Sequence, residues 1–461
     1  MSKYDVIIIG AGPGGIFAAY ELMQKAPELK VAVFEAGNPL EKRKCPIDGK
    51  KVKSCINCKT CAIMSGFGGA GAFSDGKYNI TNSFGGTLYE YIGKEEAIRL
   101  MEYVDDINVE FGGAGTKMYS TSGTHIKKLC MQNKLNLLDA SVRHLGTDIN
   151  YVVLENLYAK LKEKVEFRFN CHVDRLEMKE DGYCVVTKDG EDECEKCIVS
   201  VGRSGSKWME QVCKDLKIPT KSNRVDIGVR VEVRDEVMEF LNKNLYEAKL
   251  VYYTPTFDDK VRTFCTNPSG EVATEYYENG LAVVNGHAYK SQEFKTNNTN
   301  FALLVSKNFT KPFKTPIEYG KQIAQLSNML CDGKILVQTY GDFKRGRRTT
   351  EERLCRNNLI PTLKDAVPGD LSLVFPHRIM VDIAEMIEAL DKVTPGIASD
   401  ETLLYGVEVK FYSNKVVVDK DFCTSVKGLR AIGDGASVTR GLQQASANGL
   451  SVARSILKSM K

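Results

Sequence analysis

The feature that most constrains this chain is a glycine-rich turn near its start, Gly10-Ala11-Gly12-Pro13-Gly14-Gly15. An apolar run at 6–9 leads into the turn, a helical pattern follows it, and a second apolar run at 31–34 ends in Glu35. This order of strand, turn, helix and strand is the context in which the G-x-G-x-x-G fingerprint binds a dinucleotide. We therefore predict a nucleotide site in the first 35 residues.

The residue types in this segment suit that site for physical reasons. Gly10 permits the tight turn, Gly12 lets the backbone approach a pyrophosphate, and Gly15 lets the helix lie close to the strand. Pro13 lacks an N–H group, which costs little in the first turn of a helix. Glu35 stands where a carboxylate accepts hydrogen bonds from an adenosine ribose and disfavours a 2′-phosphate.

Composition excludes several classes of protein. At 461 residues we expect two or three domains, and 43% apolar with 26% charged residues is typical of a globular protein. The net charge of +4 is small for this size, so we expect neither a nucleic acid nor a membrane surface as partner. The first strand begins too early for a signal peptide, and 14 cysteines suggest a reducing compartment. We expect a cytoplasmic protein.

The order of strands and helices predicts two domains. Short strands separated by Asp-Gly turns at 165–201 indicate a β-meander placed before another strand of the nucleotide sheet. From residue 223 the sequence becomes strand-rich and aromatic, and the last 45 residues return to a strand, a Gly-Asp turn and a helix. We predict an α/β fold in which a nucleotide domain of residues 1–222 and 415–461 is interrupted by a β-rich substrate domain of 223–414.

The Gly-Asp turn near the carboxy terminus adds a flavin to this prediction. The ribityl chain of a flavin needs a polar contact further along the sheet, and Asp434 ends a strand where ligands of open α/β sheets bind. The helix after Gly441 would point its positive end at the flavin and stabilise the reduced anion. The alternative for Asp434 is an ordinary turn residue or helix N-cap.

With these motifs the chain resembles FAD-dependent oxidoreductases of the glutathione-reductase-like superfamily. It is most similar to the broad, largely uncharacterised group of bacterial FAD-dependent dehydrogenases. The resemblance implies bound FAD, a Rossmann-like FAD-binding domain of the glutathione-reductase type and an inserted substrate domain. The segments that carry it are 5–15, 68–77, 344–348 and 431–436.

The resemblance also assigns roles along the chain. It places Val173 at the adenine, Gly202 where a strand end nears the cofactor, and Asp434 at the ribityl–phosphate region. No second G-x-G-x-x-G occurs between 203 and 428, so a dedicated NAD(P)H domain is not expected. Together with the residue patterns, the expected cofactor contacts are Gly10, Gly12, Pro13, Gly14, Gly15, Glu35, Gly69, Ala70, Ser74, Val173, Gly202, Gly433, Asp434, Gly441 and Leu442.

Four cysteines, Cys45, Cys55, Cys58 and Cys61, form a candidate metal site. The C-x2-C-x2-C spacing is that of iron–sulfur proteins, because short loops bring the sulfurs onto neighbouring corners of a cluster. A [4Fe–4S] cluster, a zinc ion and four reduced thiols without metal are the three alternatives. Cys194 and Cys197 also have redox spacing, and we interpret that pair as structural.

Two further patterns are candidates for substrate chemistry. The glycines of 66–77 would let backbone amides approach the flavin, while Ser74 adds a polar group. The cations Arg345, Arg347 and Arg348 repel one another and need an anion, which a carboxylate-bearing substrate or an FAD phosphate would supply. A solvated turn is the alternative. His287 ends an apolar strand and is a candidate proton donor, although a packed or exposed histidine explains it equally.

These observations favour a redox enzyme that transfers hydride between flavin and a small, anionic organic substrate lying between the two domains. The alternative is an electron-transfer flavoprotein whose Cys-ligated cluster serves a redox protein partner. A flavin enzyme that modifies RNA is disfavoured by the net charge and by the lack of a basic-aromatic tract.

Overall fold

The computed structural model describes residues 2–47, 51–52, 56, 58–121, 125–277, 280–288, 292–310, 312–313 and 315–460. The chain forms two compact units. The first contains Met1–Tyr119, Ala140–Lys221 and Ser413–Lys461, and the second contains Ser120–Asp139 and Ser222–Tyr412. Within the described ranges, no helix combines the length and the apolar character needed to cross a bilayer.

The regular elements follow the periodicity of the sequence. In chain order the strands are β1 (Lys3–Ile9), β2 (Val31–Phe34), β3 (Lys77–Ile80), β4 (Met118–Ser120), β5 (Asn136–Leu137), β6 (Ser141–His144), β7 (Glu166–Arg168), β8 (Val173–Lys179), β9 (Gly182–Thr187), β10 (Gly190–Val199), β11 (Thr220–Lys221), β12 (Val225–Arg234), β13 (Leu250–Tyr253), β14 (Lys260–Asn267), β15 (Glu271–Tyr276), β16 (Ala282–His287), β17 (Asn298–Lys307), β18 (Leu336–Thr339), β19 (Val367–Pro368), β20 (Leu403–Lys410), β21 (Lys415–Val416) and β22 (Leu429–Ala431). The α-helices are α1 (Pro13–Lys25), α2 (Tyr89–Ile92), α3 (Lys94–Asn108), α4 (His125–Gln132), α5 (Gly146–Leu161), α6 (Ser206–Asp215), α7 (Asp235–Asn244), α8 (Pro316–Leu330), α9 (Tyr340–Lys344), α10 (Glu351–Cys355), α11 (His377–Asp391) and α12 (Leu442–Met460).

A mixed sheet with the strand order β7-β2-β1-β10-β9-β8 organises the first unit. β1 pairs in parallel with β2 and β10, β2 pairs in parallel with β7, and β22 pairs in parallel with β10. The centre of β1 is buried throughout, as expected for a parallel strand covered on both faces. The parallel strands form the Rossmann-like α/β core predicted from the sequence.

One long strand, β10, joins this parallel core to the meander. Its first half pairs antiparallel with β9, and its last three residues pair in parallel with β22. The turns before β9 and β10 contain Gly182 and Gly190, which have φ angles of 154° and 134°. Backbone with positive φ favours glycine, so the two Asp-Gly pairs form hairpins. The predicted meander is confirmed.

An eight-stranded sheet with the order β19-β18-β20-β12-β17-β14-β13-β5 organises the second unit. Successive side chains of β12 point to opposite faces of this sheet. On one face Ile227 and Val229 join the apolar core. On the other face Asp226, Arg230 and Glu232 are also buried. The second sheet therefore buries a polar face as well as an apolar one.

A short segment, Ser120–Asp139, lies in the second unit, whereas the sequence analysis assigns it to the first domain. Its strand β5 adds to the edge of the large sheet, where Leu137 pairs with Leu250. Leu135 and Leu137 are buried there among the residues of the second core. The helix α4 ends at Gln132, before these residues.

Candidate functional site

The glycine-rich turn of the first unit has the geometry of a phosphate-binding loop. A methyl group at Gly10, which has φ of 105°, would lie 2.6 Å from the carbonyl oxygen of Ser200. A methyl group at Gly15 would lie 2.0 Å from the carbonyl oxygen of Gly10, so both positions exclude any side chain. Gly12 differs, because no atom lies within 4 Å of the position that a methyl group would take. The turn thus leaves open space at Gly12, in front of the first turn of α1.

Glu35 fastens this turn to its surroundings. Its buried carboxylate accepts hydrogen bonds from the backbone N–H groups of Ala11 at 2.7 Å, Gly37 at 2.8 Å and Gly66 at 2.9 Å. A carboxylate offers about four lone-pair positions, so three amides leave capacity for one further donor. The contact of Glu35 with a ribose stays a prediction. In the structure the Glu35 carboxylate binds backbone amides of three loops.

The loop that begins at Gly66 lies directly against the glycine-rich turn. The N–H group of Gly68 donates to the carbonyl oxygen of Ala11 at 2.8 Å. A methyl group at Gly69 would be 3.2 Å from the Cα atom of Gly12. Ala70 is exposed in the 3-10 helix Gly69–Phe73. The two glycine-rich segments therefore form one surface.

Two polar side chains stabilise this loop from within. Arg43 is buried and donates to the carbonyl oxygens of Ala62 at 2.9 Å, Ile63 at 2.7 Å and Phe67 at 2.6 Å. Burial lowers the pKa of the Arg43 guanidinium to about 10, although the nearby Glu35 carboxylate opposes this shift. Ser74 donates to the carbonyl oxygen of Gly71 at 2.7 Å and acts as a turn cap. Arg43 was not predicted, because a lone arginine in a basic segment gives no signal.

The carboxy-terminal motif completes the site. Gly433 has φ of 79°, and the N–H group of Gly435 donates to the carbonyl oxygen of Val201 at 2.9 Å, so the turn is fixed beside the end of β10. The Asp434 carboxylate lies 3.6 Å from Nε of Arg203 and 3.4 Å from Nε of Arg440. Its Oδ1 atom is buried and accepts no hydrogen bond within the described part of the chain.

The start of α12 also belongs to this region of the first unit. The N–H group of Gly441 donates to the carbonyl oxygen of Gly85 at 2.8 Å. A methyl group at Gly71 would lie 2.5 Å from Leu442 Cδ2 and 3.6 Å from Pro13 Cγ. Segments from opposite ends of the sequence thus meet at Gly71, and they include most of the predicted cofactor contacts.

Two other predicted contacts lie at strand ends. Val173 begins β8 and is half-buried. Gly202 follows β10 and has open space around it, since no atom lies within 4 Å of a methyl group built there. Nothing in these positions opposes a cofactor contact, and both assignments stay predictions.

The structure gives no support to the predicted metal site. Cys55 lies outside the described residues, Cys45 is half-buried, and Cys58 and Cys61 are exposed. Among the residues that are described, no group of three or more His, Cys, Asp or Glu side chains is placed to hold a metal ion. Cys194 and Cys197 are buried in β10 as free thiols.

The basic turn of the second unit has carboxylate partners of its own. Arg345 lies 2.7 Å from Asp400, and Arg347 lies 2.5 Å from the buried Asp342. These carboxylates supply anions to two of the three predicted cations. Arg348 is exposed, and its side chain makes no hydrogen bond or ion pair with the residues described. Exposed His287 ends β16 opposite Glu271.

Comparison with known proteins gives two partial family matches. Residues 224–411 match the family described as FAD-dependent protein, C-terminal domain-like. Residues 1–38, which contain the glycine-rich turn, match the Thi4 family. No curated protein matches the chain.

Solved structures of flavoenzymes show only a distant likeness. The glycine oxidase from Geobacillus kaustophilus is 12% identical, with a TM-score of 0.40 over 99% of this chain and 95% of that one. The L-amino acid deaminase from Proteus vulgaris is 12% identical, with a TM-score of 0.38 over 99% and 94%. A formate oxidase variant from Aspergillus oryzae is 13% identical, with a TM-score of 0.46 over 99% and 98%. At these values the likeness carries no argument about function.

Proposed function

We propose that the protein is an FAD-dependent oxidoreductase that acts on a small organic molecule. The observation that supports this most is the open space at Gly12, between two glycines whose own space is filled by backbone. A turn built in this way lets a pyrophosphate approach the backbone while the strand and helix stay closely packed. The family that matches residues 224–411 is itself described by its dependence on FAD.

The residues of the first unit fit the rest of this cofactor. The buried Oδ1 atom of Asp434 lies 3.4 Å from Nε of Arg440 but accepts no hydrogen bond from the described residues, so it suits a hydroxyl group of the ribityl chain. The backbone N–H groups at the start of α1 point at the expected pyrophosphate, because the first amides of a helix have no partner within it. Glu35 keeps the turn in shape through its three amide contacts.

Bound FAD supplies hydride transfer at the N5 atom of its ring, and the protein supplies binding and orientation. In this proposal the positive end of α12 favours negative charge on the reduced ring. Exposed Arg348 stays a candidate for contact with the substrate, whereas Arg345 and Arg347 have carboxylates to hold them in place. His287 stays a candidate proton donor.

A visible absorbance spectrum of natively purified protein tests the proposal. We expect flavin maxima, release of FAD on denaturation, and bleaching by a chemical reductant. Apoprotein should recover the spectrum when FAD is added, and ADP should compete with FAD for binding. A colourless protein that takes up no FAD on reconstitution would contradict the proposal.

A further inference from the structure

One face of the large sheet in the second unit gathers several cations. Along β14, the side chains of Lys260, Arg262 and Phe264 point to the same face, because they are two residues apart. The side chains between them, Val261 and Thr263, are buried on the other face. The Arg262 guanidinium lies 4.8 Å above the ring of Phe264. Cations and an aromatic ring therefore share one surface.

A third cation joins this surface from the segment that precedes β12. Arg224 lies with its guanidinium 5.0 Å above the ring of Tyr412 and its Nε atom 3.6 Å from Asp226. Asp226 is the carboxylate that faces all three cations, and it also accepts hydrogen bonds from Ser306 at 2.8 Å and from Tyr412. We call Arg224, Lys260 and Arg262 the cation cluster. Among the described residues, this one carboxylate faces three cations, so positive charge is in excess here.

The carboxylate of Asp226 is itself fully engaged. Arg262 donates to it from Nη2 at 2.8 Å. Burial alone would raise the pKa of Asp226, but the charges of Arg262 and Arg224 lower it, so this carboxylate stays ionised. It therefore has little capacity left for Lys260.

Two donors of the cation cluster lack acceptors. The Nε atom of Arg262 is buried and has no hydrogen-bond partner in the described chain. The amine of half-buried Lys260 makes no hydrogen bond or ion pair with any residue that the structure describes. Burial and then the positive charges of Arg224 and Arg262 lower the pKa of Lys260. Unpaired buried donors are costly and like charges repel, so a bound anion would stabilise this arrangement.

We propose that the cation cluster binds the carboxylate group of a small organic acid. This inference of an anion site does not rest on the proposed function. A guanidinium with a free Nε–H beside a lysine amine suits the two oxygens of a carboxylate. The half-buried ring of Phe264 offers apolar surface to the organic part of the molecule. This surface distinguishes an organic acid from inorganic phosphate or sulfate.

Isothermal titration calorimetry of the FAD-loaded protein tests the proposal with benzoate, succinate, inorganic phosphate and inorganic sulfate as probes. We expect one saturable site for an organic carboxylate. Lys260→Gln should weaken its binding about tenfold, and Lys260→Arg should retain it, because only the first removes a charge. Lys392→Gln, at an exposed position of the same unit, is the matched control and should bind as the unaltered protein does.

Three results would overturn the proposal. They are absence of saturable binding by any probe, equal affinity in Lys260→Gln and the unaltered protein, and inorganic anions binding tighter than both carboxylates. If Lys260→Gln does not fold, Arg262→Lys replaces it, since it keeps the charge and removes Nε. Calorimetry measures the heat of anion binding and does not depend on flavin absorbance. The FAD content is determined separately from the FAD released on denaturation. Failure of the anion site and failure of the proposed function are thus distinguishable.

Discussion

Gly449 of α12 lies directly on the backbone of Gly14 in α1. A methyl group at Gly449 would be 2.1 Å from the Gly14 carbonyl oxygen and 2.9 Å from the backbone nitrogen of Ala18. Both neighbours are backbone atoms, which cannot rotate away as a flexible side chain can. The helix α1, which follows the phosphate-binding turn, and the last helix α12 are therefore in contact at Gly449. Gly14 and Gly449 are more than 430 residues apart in the sequence.

Gly449→Ala should destabilise the protein. The substitution gains about 1 kcal/mol of helix propensity, but overpacking against backbone costs about 1–3 kcal/mol and here also separates two helices. We expect a net loss of up to about 2 kcal/mol in the free energy of unfolding, measured by chemical denaturation. Ser451→Ala, in the same helix, is the control and should change stability by less than about 0.5 kcal/mol. An unchanged free energy of unfolding in Gly449→Ala would show that α12 can shift away from α1 without loss of stability.

Gly12→Ala and Gly10→Ala should separate cofactor binding from folding. Gly12 has open space and φ of −75°, so alanine fits the fold there and occupies the space intended for the pyrophosphate. We expect normal unfolding and an FAD Kd raised by about tenfold or more, which is 1.4 kcal/mol. At position 10 an alanine methyl group would clash with Ser200, and the left-handed backbone there is strained for any residue with a side chain. Gly10→Ala should therefore lower stability by about 1–3 kcal/mol. Unaltered FAD affinity in Gly12→Ala would place the cofactor elsewhere.

Glu35→Gln should weaken the fold around the turn. A carboxylate accepts from all three amides, whereas a glutamine places an NH2 group against at least one of them. A buried donor left without an acceptor costs about 1–3 kcal/mol, so we expect that loss in unfolding free energy. Glu41→Gln, at an exposed position nearby, is the control. Equal stability of the two variants would mean that the carboxylate does not hold the loops.

Asp434→Ala should reduce FAD affinity without unfolding the protein. The carboxylate is partly buried between Arg203 and Arg440, and its Oδ1 atom accepts no hydrogen bond from the described residues. Loss of one hydrogen bond to a charged group costs about 1.5–3 kcal/mol, so the Kd for FAD should rise by about tenfold to a hundredfold. Fluorescence of released FAD during equilibrium dialysis measures the affinity. Retention of FAD with unchanged affinity would exclude the ribityl contact.

The stability of the second unit should depend on pH through Asp382. Burial, together with the neighbouring Asp259 carboxylate, raises the pKa of Asp382 to about 6. The folded state then binds a proton that the unfolded chain has released, so the contribution of Asp382 to stability is fully present below about pH 4 and is lost as pH rises through 6. The change is at most about 3 kcal/mol, at 1.4 kcal/mol per pKa unit.

Asp259 does not change its protonation state in this pH range. Burial alone would raise its pKa, but hydrogen bonds from Arg378 and Lys307 lower it to about 2, so it stays ionised from pH 4 to 6. Asp382→Asn should remove the fall in unfolding free energy over this range, as measured by urea denaturation at a series of pH values. A slope that persists in Asp382→Asn would assign the pH dependence to other groups.

Local structure can be predicted best from the sequence where the backbone conformation or close packing at a position allows only one residue type. Gly10 and Gly15 occupy positions that exclude a side chain, and the Asp-Gly pairs before β9 and β10 form hairpins. Those features depend on backbone conformation, which glycine reveals in any sequence. The strand β17 (Asn298–Lys307) was not predicted, because it is buried on both faces and so lacks the alternation that marks a strand.

Features that depend on distant residues were not accessible in this way. The contacts of Arg43 with three carbonyl oxygens follow from the path of a loop, and no spacing encodes that path. The cation cluster combines Arg224 with Lys260 and Arg262, which become neighbours only when β12 and β14 both flank β17. Substrate recognition was instead predicted at the adjacent cations Arg345, Arg347 and Arg348, two of which have carboxylate partners.

The strand β22 and the helix α12 complete the first unit. Its sheet and helix layer therefore cannot be complete until these residues have been synthesised, which happens after the whole of 222–412. All residues of the second unit are synthesised while the glycine-rich turn still lacks its last strand and helix. Multidomain chains generally fold domain by domain during synthesis, amino-terminal portions first. Here the earliest segment to emerge is among the last to reach its final packing, so the nascent chain would acquire its cofactor only near the end of translation.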